Sequence, residues 1–264
     1  MLIIICSDYE QMSLRAADLV SNAIRKKPSV VLGLATGSTP LGLYRELVRR
    51  HKQEGLDFSR VITFNLDEYW GLAPDHPQSF HYFMDHHFVD HINIKKENVH
   101  IPNGIPGPDL QARCEQYEKL ISDAGGIDLQ IVGIGKTGHI GFNEPTSSFA
   151  SRTRMKTLTA ETRKDNQRFF GSSEEVPVCA ITMGIGTILE ARRIVLLGSG
   201  KEKAAALAKA IEGPLSASVS ASVLQLHRSV TVIVDEEAAS ELRHRDYYKT
   251  VLEMTARLTP ERLE

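Results

Sequence analysis

The chain lacks an excess of either charge, any long apolar run, and all but a few cysteines. Its 31 Lys and Arg stand against 33 Asp and Glu, a net charge of −2. Binding along a phosphate backbone needs a basic excess, so nucleic acid is not expected as a partner. No apolar stretch approaches the ~20 residues that span a bilayer, so no membrane span is expected. Met1 to Cys6 is apolar, but it has no basic segment before it and no small-residue cleavage site, and Asp8 and Glu10 follow at once. It reads as a first buried strand and not as a leader. Cys6, Cys114 and Cys179 are odd in number, far apart and without a C-x-x-C pair. Free thiols in a reducing cytosol are the better reading, and the expected location is cytoplasmic. No Walker A loop, G-x-G-x-x-G turn, H-E-x-x-H pattern or internal repeat is present. A chain of 264 residues with 42% hydrophobic residues and no linker fits a single α/β domain over 1–264.

What is present is an alternation of short apolar runs and amphipathic stretches. Leu2–Cys6, Ser29–Leu34, Val61–Leu66, Leu129–Ile134, Val178–Met183, Arg193–Leu197 and Val230–Val234 read as strands. Helical spacing follows at about 8–25, 41–48, 80–90, 110–124, after Gly184, to Glu212, and from Glu237 onward. Thr146–Arg168 is polar, weakly periodic, and reads as a lid that is only partly helical. Alternation throughout implies an open, mostly parallel α/β sheet with right-handed crossovers and helices on both faces.

Three stretches carry the chemistry. Gly133-Ile-Gly-Lys-Thr-Gly-His-Ile-Gly-Phe-Asn-Glu-Pro145 follows an apolar strand, and its glycines let the backbone turn sharply beside a ligand. It offers an imidazole, His139, and a carboxylate five residues on, Glu144, a pair suited to moving a proton near neutrality. Ala35-Thr-Gly-Ser-Thr-Pro40 joins a strand to a helix, with Ser38 or Thr39 as cap and Pro40 at the first helical position. Such a turn is an anion cradle, here for a small substrate's phosphate. Asp67 and Glu68 end a strand, where open α/β sheets line their crevice. Adjacent side chains diverge on extended backbone, so only one of the two should face the site. His87 and His91, at i and i+4, raise a metal site, but with no cysteine nearby a polar helix face is the better reading, and no metal is expected.

Together Leu34–Pro40, Phe64–Tyr69 and Gly138–Pro145, with Ser151–Arg154, Arg168–Phe170 and Leu224–His227, resemble glucosamine-6-phosphate deaminase. The likeness runs from about residue 30 to the C-terminal region. It implies a Rossmann-like fold and the reversible conversion of glucosamine 6-phosphate and water to fructose 6-phosphate and ammonia, with no cofactor. It further implies that His139 opens the sugar ring, that Glu144 holds the imidazole, and that Asp67 moves a proton from C2 to C1. Gly37, Ser38, Thr39, Arg168 and Lys203 would hold the phosphate, with Lys203 preferred over Lys201. Thr137 stands where many members have Asp and others Asn, so only a neutral hydrogen bond is offered to His139 there.

The resemblance extends to the branch that is hexameric and activated by N-acetylglucosamine 6-phosphate. The matching positions are Ser148, Arg154, Lys156 and Tyr247, which implies a homo-oligomer, a hexamer being favoured. The rival readings are 6-phosphogluconolactonase, of the same broad fold, and a non-catalytic sugar-phosphate sensor. The Phe64–Tyr69 and Asn143–Pro145 stretches favour the deaminase over the first. The retained acid, base and phosphate positions, with no appended helix-turn-helix, count against the second.

Overall fold

The computed structural model describes residues 1–171 and 174–260. Ser172 and Ser173, just beyond the expected lid, and residues 261–264, at the end of the expected last helix, lie outside the described residues. The strands are β1 (Leu2–Cys6), β2 (Val31–Leu34), β3 (Ile62–Asn65), β4 (Asp67–Tyr69) and β5 (Val99–His100) in the first half. The second half has β6 (Leu129–Gly133), β7 (Arg154–Thr157), β8 (Cys179–Thr182), β9 (Arg193–Gly198) and β10 (Val230–Asp235). The helices are α1 (Tyr9–Lys26), α2 (Leu41–Glu54), α3 (Phe80–His87) and α4 (Leu110–Asp123), then α5 (Ala160–Asn166), α6 (Ile185–Leu189), α7 (Ala204–Glu212) and α8 (Arg245–Leu258).

Seven strands form one parallel sheet in the order β1-β10-β9-β6-β2-β3-β5. Its strands are apolar on both faces because both faces are covered, as a parallel sheet requires. Alternate residues of one strand feed two separate cores: Ile194 and Leu196 of β9 enter one, Val195 and Leu197 the other. The first core is closed by residues of α4, α6 and α7, the second by residues of α1, α2 and α3. The α/β architecture with helices on both faces is therefore as the residues imply.

Five details differ from the sequence reading. The parallel sheet ends on β5, two half-buried residues that no apolar run announces. A second sheet, antiparallel and three-stranded in the order β4-β8-β7, interrupts the alternation. Leu66 links the two sheets, its N–H donating to Leu34 O at 3.0 Å and its carbonyl accepting from Met183 N–H at 2.6 Å. The expected lid from Thr146 contains β7, whose Arg-Met-Lys-Thr residues are alternately half-buried and exposed. Such an edge strand has no apolar run to announce it; its pairing with β8 makes it. Helix α2 begins at Leu41, with Pro40 in the cap position and no side-chain cap, so neither Ser38 nor Thr39 caps it. Residues after β10 turn before the last helix, which starts only at Arg245.

The second sheet leaves little space behind β4. A Cβ on Gly104 would stand 2.1 Å from Tyr69 O and 2.9 Å from Glu68 Cγ. Backbone cannot retreat as a flexible side chain can. Gly104→Ala should therefore cost about 1–3 kcal/mol of stability, as overpacking does. A urea midpoint unchanged from wild type would show that the 103–105 loop yields freely.

Candidate active site

A cleft of about 210 Å³ opens at the carboxyl ends of the parallel strands β2, β3 and β6, a volume suited to one small molecule. One wall is the turn Thr36-Gly37-Ser38-Thr39 ahead of α2. Gly37 has φ +99°, a conformation that favours glycine and that carries the chain round into the helix. Lys203, at the start of α7, and Arg168, just after α5, line the same cleft. Lys201 is not among the lining residues, so the structure brings Lys203 to the cleft, as preferred. The Lys203 side chain is only 13% exposed, and burial pushes its ammonium below the usual lysine range. A cation held in so dry a place gains from an anionic partner. Arg168 lies over the Phe169 ring at 4.8 Å, so its guanidinium is presented on an aromatic face.

Asp67 lines the cleft and is 6% exposed; Glu68 points away and is 1% exposed. That split is what the extended backbone of β4 dictates. Burial, with the neighbouring Glu68 charge, pushes the Asp67 carboxyl up to about 8, offset only in part by the Phe142 backbone N–H. A carboxylate with so high a proton affinity is a far stronger base than a solvated one.

His139 sits on the loop after β6, with its side chain 14% exposed. The loop passes close beneath it: a Cβ on Gly135 would fall 2.2 Å from the ring's Nε2. Thr137 Oγ1 lies 2.8 Å from Nδ1, and Glu144 Oε2 lies 3.5 Å from the same nitrogen. Thr137 thus takes the hydrogen-bonding distance and Glu144 acts across a longer electrostatic gap. Glu144 Oε1 accepts from Thr159 N–H at 3.0 Å. Hydrogen bonds and the imidazole hold the Glu144 carboxyl down to about 2 despite its burial. Both partners crowd Nδ1, so the ring keeps Nε2 for the cleft.

Sequence reading missed a wall of aromatic rings. Tyr69, Phe80, Phe142 and Phe170 line the cleft with centroids 4.9–5.9 Å apart between touching pairs. Asn166 Nδ2 donates to the Tyr69 hydroxyl at 2.9 Å and ties α5 to β4. Lys136, also in the cleft, is paired with Asp165 at 2.8 Å. Lys136 was legible in the glycine loop; the rings, scattered between residues 69 and 170, were not.

The four residues expected to regulate lie on three separate segments. Ser148 is exposed. Arg154 and Lys156 are half-buried on β7, and Arg154 Nη1 donates to Asn143 Oδ1 at 2.9 Å. Tyr247, 65% exposed, lies on α8, which packs on edge strand β1. Among the described residues no three His, Cys, Asp or Glu gather as a metal site would require. No described helix is long and apolar enough to cross a membrane.

The fold and cleft define an open α/β protein that keeps an anion-binding turn, a buried carboxylate and an imidazole at the carboxyl ends of its strands. The chain belongs to the glucosamine-6-phosphate isomerase/6-phosphogluconolactonase family, whose model matches residues 9–233. It is 59% identical over 246 residues to a glucosamine-6-phosphate deaminase of Thermoanaerobacter sp. (strain X514), covering 93% of this chain and 97% of that protein. A solved monomeric glucosamine-6-phosphate deaminase superposes with a TM-score of 0.89 at 50% identity, over 91% of this chain and all of that one. The 6-phosphogluconolactonase of Leishmania guyanensis shares the fold, with a TM-score of 0.71 at 21% identity over 90% of this chain and 97% of that one.

Proposed function

We propose that the protein converts glucosamine 6-phosphate and water reversibly to fructose 6-phosphate and ammonia, hydrolysing a C–N bond after an aldose–ketose shift. The observation that carries this reading is the convergence of Asp67, His139 and the Gly37–Thr39 turn with Lys203 and Arg168 in one cleft. The names borne by the similar proteins support the same substrate. The chain acts as one unit in this reading, without a cofactor.

The substrate phosphate rests on the backbone N–H groups and hydroxyls of the turn, where the N-terminus of α2 favours an anion. Lys203 adds a point charge and Arg168 a planar fork. His139 takes the proton of the O1 hydroxyl and returns it to O5 as the C1–O5 bond breaks, leaving the open aldehyde. Glu144 and Thr137 hold the ring so that Nε2 does this work. Asp67, ionised, removes the proton from C2, made acidic by the C1 carbonyl. The electrons move to O1, which takes a proton from the C2 ammonium group to give a C1–C2 enolamine, and Asp67 returns its proton at C1 as the nitrogen lone pair forms a C2 iminium. The iminium takes up water and releases ammonia, leaving the ketone.

The pH dependence follows from Asp67. It must be ionised in the free enzyme, and its proton leaves only near pH 8. kcat/KM for glucosamine 6-phosphate should rise with pH and level off above about 8. A flat profile from pH 6 to 9 would remove Asp67 from the base role, and no turnover of this substrate would favour the lactonase or sensor readings. Thr137→Asp adds a charge beside Nδ1 and should shift the pH profile of kcat/KM. An unchanged profile would mean that position 137 does not act on the ring.

Regulation by N-acetylglucosamine 6-phosphate, through Ser148, Arg154, Lys156 and Tyr247, is the finer part of this reading. It needs a homo-oligomer, a hexamer in its full form, because Tyr247 lies on a helix remote in sequence and packed on the sheet edge. Light scattering decides it: a monomer, the state named for the similar solved deaminase, removes the regulatory claim and leaves the catalytic one.

A further inference from the structure

Glu68 is the most enclosed ionisable side chain beside the cleft, yet it takes no part in the steps above. Its two oxygens receive three backbone N–H donors. Oε1 accepts from Tyr69 N–H at 2.8 Å and Phe80 N–H at 3.0 Å; Oε2 accepts from His81 N–H at 3.0 Å and faces His81 Nδ1 at 2.8 Å. Three donors converging on two oxygens favour the carboxylate form, which accepts and never donates. Two of the donors are the first N–H groups of α3, whose dipole favours a negative charge at that end. Gly104 stands close on another side, where a Cβ would fall 2.9 Å from Glu68 Cγ.

We propose that Glu68 is a positioning residue for the reaction: a fixed negative charge, anchored by α3 and His81, that keeps the proton of the adjacent Asp67 tightly held. This rests on the reading of Asp67 as the base. Three of its four partners are backbone N–H groups, which do not titrate. The charge cannot reach the substrate, since it faces away from the cleft. Its whole effect on the chemistry passes through Asp67, next to it on β4. A like charge held that close raises the proton affinity of a buried carboxylate, and so its strength as a base towards a C–H bond. The other groups that face Asp67 are a hydroxyl on β8 (Thr182), phenols from β4 and α4 (Tyr69 and Tyr117), and the His139 imidazole, with Arg168 and Lys203 elsewhere in the cleft. Glu68 is the one carboxylate in that set.

The same geometry gives a prediction of opposite sign at the anchor. Glu68→Gln removes the charge and should lower the pH at which Asp67 titrates by about one pH unit. His81→Phe keeps the charge and removes a donor that partly neutralises it, so the Asp67 titration should move up. Glu68→Asp keeps the charge but is too short to reach α3, and should stay nearer to wild type than Glu68→Gln.

The test is the carboxyl titration of Asp67 in substrate-free protein, followed by carbon-13 NMR with Asp67→Asn to assign the signal, beside the kcat/KM profile of each variant. A lower titration in Glu68→Gln and a higher one in His81→Phe support the proposal. Movement in the same direction in both, or in neither, overturns it. If Glu68→Gln does not fold, His81→Phe alone decides, because its ring is partly exposed and its loss leaves three donors in place. Since the titration is read without turnover, an inactive wild type would defeat the deaminase reading without touching this result.

Discussion

Asp67→Asn should lower kcat for glucosamine 6-phosphate by about 10²-fold or more while substrate still binds. The amide keeps the shape of the side chain and cannot take the C2 proton. The same change should make the protein more stable in mild alkali. Asp67 releases its proton near pH 3.8 when solvated and only near 8 in the fold. Between those values the native state holds a proton that the unfolded chain has lost, so stability falls as pH rises through that window. Asn carries no such penalty, and its advantage over wild type should be fully present above pH 8 and absent below pH 3.8. Loss of activity with gain of stability is the signature of a group kept for chemistry. A variant with near-normal kcat, or with lower stability than wild type at pH 8, would place the base elsewhere.

The second large effect is at His139. His139→Gln should reduce kcat/KM for the cyclic sugar by about 10²-fold or more, since an amide cannot carry the proton from O1 to O5. An open-chain analogue that cannot close its ring bypasses that step and should lose far less. Equal loss on both substrates would show that the imidazole serves a later step. Asp67→Asn gives the converse pattern, with equal loss on both, so the two variants separate ring opening from proton transfer.

Much of this site could be read from the chain because its parts are local. The Gly37–Thr39 turn, the strand end at Asp67 and the loop from Gly133 to Pro145 each carry a short pattern with its own physical reason. Six of the seven parallel strands were legible for the same cause: a strand buried on both faces is a continuous apolar run. The two-residue edge strand β5 has no such run. The second sheet was not legible either. Strand β4 has three residues, and β7 is a half-exposed basic edge, so each exists only through its pairing with β8. Glu68 shows the limit most plainly. The alternation of extended backbone says that one of two adjacent acids turns away, but not that the N-terminus of α3, twelve residues on, is there to receive it.

The most direct test of the central claim is to run the purified protein on glucosamine 6-phosphate in deuterated water and to measure ammonia, fructose 6-phosphate and the deuterium at C1 together. Equal amounts of the two products are expected, with any solvent deuterium confined to one C1 position, since a single carboxyl returns the proton on one face. Neither product, or solvent deuterium at both C1 positions, would contradict the account.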